Sequence, residues 1–214
     1  EKEKYQEEYD KMYAECKRTL YSAGYHIYTS IDPDVQKQLQ SSVDNALSGY
    51  TEKDKNGIYK TQASGTCIDN DTGKVVAIVG GREQKNIGYT LNRAFQSPRQ
   101  PGSAIKPLLV YAPALEHGWS AGSTVNDSPM STKDKNRVRN SHGSYSGQIS
   151  LRRAVQKSSN VATMRIYEQL TPKTCLKYLE EMNFKYLTDS DYKYYTTCIG
   201  GFTKGTTSEE MAAG

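Results

Sequence analysis

The chain has 214 residues, 36% of them hydrophobic and 24% charged, and its formal net charge is +4 at pH 7. This length and composition are typical of one globular domain, or of one domain with an extension. The small, scattered positive charge does not indicate nucleic acid binding, although a mildly basic face suits an anionic polymer or a membrane surface. No apolar run approaches the roughly 20 residues that a membrane-spanning helix needs, and no signal peptide is recognisable.

The first elements form a helix, a short strand and a second helix. Residues 1–21 predict an exposed helix rich in Glu, Lys and Tyr, which ends at Gly24. Alternating apolar and polar residues predict a short strand at 25–30. Asp32 and Pro33 are typical of a helix start, and apolar positions four residues apart continue that helix to about residue 47.

A hairpin and a long helix follow. Strands are predicted at 63–69 and 74–80 around an Asn-Asp-Thr-Gly turn, with the second strand covered on both faces. Residues 81–102 show no clear period, and a helix is predicted from about Ser103 to His117.

The second half of the chain predicts mainly helices. Residues 119–149 are expected to be irregular, with solvated cations at Lys133, Lys135, Arg137 and Arg139. Helices are predicted at 151–157, 161–170 and 171–182, and a capping box at Thr207 and Glu210 opens a last helix.

The cysteines and histidines show no metal-binding spacing. The four cysteines lie far apart without a C-x-x-C pair, so neither a zinc site nor a redox motif is expected. Buried or free thiols are expected, with a disulfide left open. The three histidines share no metal-ligand spacing, and we expect no metal site.

A Ser-x-x-Lys motif at Ser103 and Lys106 follows Gly102 directly. A serine hydroxyl is a weak nucleophile until a base takes its proton. Positions i and i+3 share a helix face, so Lys106 can act as that base if burial lowers its pKa. Ser103 would begin a helix, where unpaired N–H groups favour developing negative charge, and Gly102 lets a substrate approach the backbone. Pro107 removes the N–H that would bond to the Ser103 carbonyl.

Two further motifs bear on this interpretation. Ser190 and Lys193 repeat the spacing, but without a glycine or a helix start, so we interpret that copy as accidental. Ser158 and Asn160 form a Ser-x-Asn motif between two predicted helices. There Ser158 can relay a proton and Asn160 can hold a peptide amide, although Ser and Asn are also common in ordinary turns.

Together these motifs resemble the signature of penicillin-binding proteins and class A β-lactamases. Further stretches are similar to class A penicillin-binding proteins in particular, and the resemblance covers about residues 25–214. These stretches are residues 28–33, 92–94, 99–107, 147–152 and 207–213.

The resemblance implies a serine-type D,D-transpeptidase of peptidoglycan synthesis that β-lactams acylate. Ser103 would attack the D-Ala-D-Ala carbonyl of a stem peptide, with Lys106 as the base. Ser158 would relay a proton, while Asn160 and Gly102 would contact the substrate. No cofactor is implied. The implied fold is α+β, of the penicillin-binding transpeptidase/β-lactamase-like type, with an antiparallel sheet between helical layers.

The resemblance also implies a place in a larger protein. The expected partners are peptidoglycan stem peptides and β-lactam antibiotics, not nucleic acid, at the extracytoplasmic face of the bacterial cell membrane. An upstream glycosyltransferase domain and a membrane anchor are expected in the parent protein. Residues 1–24 would be an interdomain linker helix, and residues 25–214 the N-terminal part of the transpeptidase domain.

The family's third motif, Lys-Thr-Gly on a strand beside the nucleophile, has no counterpart in the chain. Residues 204–206 read Lys-Gly-Thr and precede a helix start. We therefore expect a C-terminally truncated domain that is inactive alone. Two alternatives stay open: a non-catalytic module that binds peptidoglycan or β-lactam, and a β-lactamase-type hydrolase. The intact Ser-Lys pair argues against the first, and the linker-like start argues against the second.

Overall fold

The computed structural model describes residues 2–83, 90–131 and 137–214. It divides into two compact units, Glu1–Ser30 and Ile31–Gly214. In the described part of the chain, no helix combines the length and the apolar character needed to cross a membrane.

The first unit consists of helix α1 (Lys2–Ser22) and an irregular tail. The helix confirms the one expected at 1–21, and its aromatic residues are exposed as predicted. The prediction of a strand at 25–30 is wrong, because these residues have no regular structure. Ile27 is 75% exposed and Tyr28 is 93% exposed, so the alternating side chains find no surface to cover.

The second unit begins with helix α2 (Pro33–Ala46), strand β1 (Gly65–Ile68) and strand β2 (Val75–Val79). Asp32 caps α2 as predicted, since its carboxylate accepts from the N–H groups of residues 34 and 35. The two strands pair antiparallel, which confirms the hairpin. Gln36 fastens α2 to β2, because its side-chain amide exchanges bonds of 2.8 and 3.0 Å with the backbone of Ile78.

The segment expected to be irregular at 119–149 forms four short strands in its described residues. Strand β3 (Thr124–Asp127) pairs with β6 (Gly147–Ser150), and β4 (Met130–Ser131) pairs with β5 (Arg137–Val138). The β3–β6 pair buries Val125 against Ile149, which gives these short strands an inner face. Two of the cations expected in this segment, Lys133 and Lys135, lie outside the described residues.

The helix expected at 103–117 has three successive geometries. It starts as a 3₁₀ turn (Gly102–Ile105), widens to a π-helical turn (Pro107–Tyr111) and ends as helix α4 (Ala112–Glu116). Four other helices agree with the sequence pattern: α5 (Leu151–Gln156), α6 (Asn160–Leu170), α7 (Pro172–Glu181) and α8 (Ser208–Ala213), which opens with the capping box of Thr207 and Glu210. The sequence did not predict helix α3 (Arg93–Gln96) or the 3₁₀ turn at Tyr195–Ile199.

The apolar core lies where the π-helical turn, α6 and α7 pack together. Leu109, Ile166 and Leu176, one from each of these elements, are fully buried. The described strands form three separate two-stranded antiparallel pairs among the helices, which is an α+β architecture as predicted. This packing places the start of the π-helical turn next to the start of α6. The Ser-x-x-Lys motif therefore lies close to the Ser-x-Asn motif.

Candidate active site

Ser103 lies in a turn whose tightness follows from the sequence. Four residues after Ser103 stands Pro107, which has no N–H to offer, so the Ser103 carbonyl accepts from the Lys106 N–H instead. That bond closes a 3₁₀ turn, in which residues three apart are aligned. Gly102 has φ +55, a left-handed conformation that glycine adopts without strain. The turn therefore places Ser103 and Lys106 on one face.

The Ser103 side chain is exposed. Within the described part of the chain, neither its hydroxyl nor its backbone N–H forms a hydrogen bond. Both groups are therefore free to meet a substrate: the hydroxyl as a nucleophile and the N–H as a donor to a developing oxyanion.

Lys106 is only 2% exposed, and its Nζ makes three hydrogen bonds to the second motif. It donates to the Ser158 carbonyl at 2.8 Å, to Ser158 Oγ at 3.1 Å and to Asn160 Oδ1 at 2.7 Å. Lys106 Nζ and Ser103 Oγ do not form a hydrogen bond in this structure, because Nζ bonds to the second motif instead. The two motifs, 52 positions apart at Lys106 and Ser158, thus meet through one amine.

Burial lowers the pKa of Lys106 to about 8, because a charged ammonium is poorly solvated in the interior. Among the described residues, no carboxylate lies within ion-pair distance of this amine. The nearby Cys198 thiol does not replace one, because burial raises the pKa of Cys198 far above neutrality and keeps the thiol uncharged. Lys106 can therefore lose its proton near neutral pH.

The three acceptors around Nζ suit both protonation states. An ammonium has three N–H donors, one for each of the three acceptors of Ser158 and Asn160. A neutral amine keeps two donors, enough for the carbonyl and the amide oxygen. Its lone pair is then available to a serine hydroxyl, either that of Ser158 or that of Ser103. This arrangement allows protons to pass through Lys106 and Ser158.

The second motif forms a strained turn between α5 and α6. Ser158 has φ +48, a conformation uncommon for a residue with a side chain. Ser159 caps α6, and Asn160 is the first residue of that helix. The Asn160 side chain also donates to the Arg139 carbonyl at 2.9 Å, which directs its oxygen toward Lys106. Asn160 is thus held between two elements rather than turned to solvent.

A buried polar cluster of Asp127, Asn140 and Ser159 supports this turn, although the sequence alone did not predict it. Asp127 Oδ1 accepts from Asn140 Nδ2 at 2.7 Å and from Ser159 Oγ at 2.8 Å. Asn140 Oδ1 accepts from the Val161 N–H at 3.2 Å. All three side chains of the cluster are at most 3% exposed. Since Asp, Asn and Ser are common in loops, no local signal marks this cluster.

The segment 199–206 packs against the backbone just before Ser103. Arg99 and Thr206 exchange two backbone hydrogen bonds of 2.8 Å, and the side-chain amide of Gln100 bonds to the backbone of Phe202 in both directions. Gly200 has φ +94, and a Cβ there would lie 2.2 Å from the Gly102 Cα. The nucleophile turn is therefore held from behind by a segment distant in sequence.

Two lysines outside the motifs do not enter this arrangement. Lys204 lies exposed in a bend rather than on a strand, as expected for a residue before the Thr207 cap. Ser190 and Lys193 lie in a turn closed by the Lys193 N–H on the Ser190 carbonyl. An exposed serine, a buried amine with a lowered pKa and a serine bonded to that amine are the groups that the serine acyl-transfer class of enzymes uses.

Comparison with known proteins agrees with this class. Residues 63–202 match the family model described as the penicillin-binding protein transpeptidase domain, so the chain belongs to that family. The prediction of a penicillin-binding transpeptidase domain is thereby confirmed. The roles assigned to individual site residues remain predictions. These residues are Ser103, Lys106, Ser158, Asn160 and Gly102.

The curated relatives that this chain matches include much longer proteins. Penicillin-binding protein 1A of Clostridium perfringens (strain 13) is 38% identical over 191 residues, which cover 83% of this chain and 27% of the relative. Penicillin-binding protein 4 of Bacillus subtilis is 32% identical, with 90% of this chain and 29% of the relative covered. The chain therefore spans little more than a quarter of these relatives.

A solved structure shows the same fold. The PonA1 protein of Mycobacterium tuberculosis in complex with penicillin V superposes with a TM-score of 0.69 at 21% identity. The match covers 91% of this chain and 51% of that chain. The penicillin-binding transpeptidase fold expected from the sequence is confirmed.

Proposed function

We propose that this chain is the transpeptidase domain of a peptidoglycan D,D-transpeptidase, with Ser103 as its nucleophile. One observation carries the proposal: the buried amine of Lys106 bonds to both Ser158 and Asn160 and lies three residues from an exposed serine. Burying a lysine side chain in the fold without a nearby carboxylate costs free energy. A catalytic role for Lys106 accounts for that cost.

Acyl transfer proceeds in two halves. Ser103 Oγ attacks the carbonyl of the penultimate D-Ala, and its proton passes to neutral Lys106. As the peptide bond breaks, Ser158 donates a proton to the leaving D-Ala and is reprotonated from Lys106. An ester joins the stem peptide to Ser103. An amine of a neighbouring strand then attacks that ester, and the proton movements run in reverse.

Substrate positioning is assigned to Asn160 and to the backbone at Gly102 and Ser103. Asn160 Nδ2 and Oδ1 are engaged by Arg139 and Lys106, so a stem-peptide amide would exchange with one of these partners or bond to a free lone pair. The Ser103 N–H supplies one oxyanion donor. The second donor belongs, by family resemblance, to the strand with the Lys-Thr-Gly motif.

The setting of the domain is also proposed from the family. Peptidoglycan stem peptides are the natural partners, and β-lactams acylate Ser103 as analogues of the donor. The domain works at the extracytoplasmic face of the membrane, in a protein that also carries a glycosyltransferase domain and an anchor. Residues 1–24 act as the linker helix, and residues 25–214 form the N-terminal part of the transpeptidase domain.

Turnover of a peptide ending in D-Ala-D-Ala tests this function. The complete gene product that contains these 214 residues should release D-Ala in the presence of an acceptor amine. Ser103→Ala should abolish the release, whereas Ser190→Ala should leave it unchanged. Release that survives Ser103→Ala would contradict the proposal. Hydrolysis of a β-lactam with rapid deacylation would instead identify a β-lactamase-type hydrolase.

A further inference from the structure

A second pocket, of about 360 Å³, lies outside the transpeptidase site. None of its lining residues belongs to the two motifs or to the buried polar cluster. It is formed by the segment 53–62 and by residues 82, 83, 90, 91 and 93. The lining residues with polar or charged side chains that bear on its chemistry are Lys53, Asn56, Tyr59, Gln62, Arg82 and Arg93.

The pocket gathers positive charge without matching negative charge. Lys53, Arg82 and Arg93 line it together with a single carboxylate, that of Glu83. Within the described ranges, none of these three cations has a carboxylate within ion-pair distance. The described lining therefore carries more positive than negative charge.

Arg82 is the most constrained of these cations. Its side chain is 6% exposed and stacks on the ring of Tyr59, with the guanidinium carbon 3.6 Å from the ring centre. One guanidinium N–H group donates to the Tyr50 carbonyl, but Nε is buried and has no partner in the described structure. Lys53 Nζ lies 4.2 Å from the centre of the same ring. A buried guanidinium without an ion pair costs free energy unless an anion joins it.

Hydrogen bonds that involve the backbone hold Arg82 and Arg93 in position. The Arg82 N–H donates to the side-chain amide of Gln62 at 2.9 Å, and Arg93 donates from its guanidinium to the Gly80 carbonyl at 3.3 Å. Each guanidinium has five N–H donors, so both retain donors for a ligand. The fork of a guanidinium matches the oxygens of a phosphate or carboxylate, and a lysine adds a compact charge.

We propose that this pocket is a binding site for a small oxyanion, the phosphate or carboxylate group of a ligand. The size of the pocket falls within the range of small-molecule sites, about 300–1,000 Å³. The anion would lie between Lys53 and Arg93 and would compensate the buried charge of Arg82. This site is independent of Ser103 and of acyl transfer.

Calorimetric titration and thermal unfolding with inorganic phosphate test the proposal, in parallel with acetate and with sodium chloride at matched ionic strength. Phosphate, acetate or both should bind measurably and raise Tm beyond the effect of chloride. Binding of phosphate alone would identify a phosphate group as the ligand, and binding of acetate alone a carboxylate. Lys53→Gln and Arg93→Gln should each weaken binding about tenfold or more, as expected for loss of a charge-assisted hydrogen bond.

Lys60→Gln is the matched control. It removes the same charge from the same segment, but Lys60 is paired with Glu52 and does not line the pocket. Equal weakening by Lys60→Gln would mean that only general charge attraction is measured, and would overturn the proposal. So would phosphate and acetate that act no differently from chloride. If Arg93→Gln unfolds the protein, Lys53→Gln decides the matter, because Lys53 is exposed.

Discussion

The reactivity of Ser103 depends on where the proton of Lys106 resides. Burial brings the pKa of Lys106 down to about 8, and three acceptors hold its amine next to the second motif. The composition of the Ser-x-x-Lys motif predicts a base, but only the packed structure explains why this lysine can be neutral. Its protonation state should therefore control the rate of acylation.

The first prediction concerns pH. Only neutral Lys106 can accept the Ser103 proton, and the neutral fraction grows as pH rises through the pKa of about 8. The rate of acylation by a fluorescent penicillin should therefore rise with pH and level off above that value. Lys106→Arg should abolish acylation at every pH in this range, because a guanidinium keeps its proton. A rate that falls as pH rises through 8, or survives in Lys106→Arg, would show that Lys106 is not the base.

The second prediction concerns Asn160, whose Oδ1 accepts from Lys106 at 2.7 Å. Asn160→Ala should slow acylation about 10- to 100-fold, the range expected for one hydrogen bond to a charged group. The circular dichroism spectrum should be unchanged. Asn45→Ala, at an exposed position in α2, is the control and should react at the normal rate. Normal acylation of a folded Asn160→Ala variant would reduce the motif to an ordinary turn.

At the level of secondary structure, the active site depends on a junction between β3, the loop at Asn140 and the start of α6. Asp127 is fully buried and accepts hydrogen bonds from Asn140, from Ser159 and, at 3.0 Å, from the Ser146 N–H. The carboxylate thereby holds the turn that carries Ser158. An acceptor with two oxygens is needed, because every surrounding group donates.

The third prediction tests that junction. Asp127→Asn preserves size but replaces one acceptor oxygen by an NH₂ group that must face a donor. Unfolding by urea should show a loss of about 1–3 kcal/mol, the cost of an unsatisfied buried group. Asp189→Asn, at an exposed position, should change stability by less than about 0.5 kcal/mol. Equal stability of the two variants would show that the buried carboxylate does not hold the junction.

Elements with local signals could be predicted, and elements that depend on distant partners could not. The Asp32 cap, the hairpin at 65–79 and the Thr207 capping box are each encoded within a few residues. The β3–β6 pair joins residues 20 to 26 positions apart, and its four-residue strands carry little pattern. At 25–30, by contrast, a strand was predicted that does not form. Alternating apolar and polar residues form a strand only where their apolar side chains pack against another surface.

The same distinction applies to the active site: residues in short motifs could be predicted, and residues brought in only by packing could not. Ser103, Lys106, Ser158 and Asn160 stand in short motifs, and the structure brings Lys106 together with the latter two. Ser103 and Lys106 do not form a hydrogen bond with each other, because the amine bonds to three acceptors on α6 and its preceding turn. Asp127 and Asn140 have no motif, and only the packing of β3 against α6 reveals them.

In the molecule as a whole, the nucleophile turn is held by residues about a hundred positions downstream. Gln100 bonds to the backbone of Phe202, Arg99 bonds to that of Thr206, and Gly200 contacts the backbone of Gly102. Residues 63–202 match the family model, so the matched region ends within this supporting segment. Integrity of the site therefore requires the segment 199–206 to be folded.

The fourth prediction tests this support. In Gly200→Ala a Cβ would lie 2.2 Å from the Gly102 backbone, so the nucleophile turn must move. Tm should fall and acylation should slow by more than tenfold, because small displacements of reacting groups cost large factors in rate. Gly73→Ala is the control, since Gly73 has a similar positive φ of +68 but open space around its Cβ position. Equal effects of the two variants would mean that backbone strain alone, and not the contact, is responsible.

The most direct measurement is mass mapping of the site that a labelled penicillin acylates in the complete gene product. We expect one adduct, on the peptide that contains Ser103, which is lost in Ser103→Ala and retained in Ser190→Ala. That result follows from an exposed hydroxyl next to a buried amine that can be neutral. An adduct on Ser190 or another serine, or no adduct in a folded protein, would contradict the assignment of Ser103 as the nucleophile.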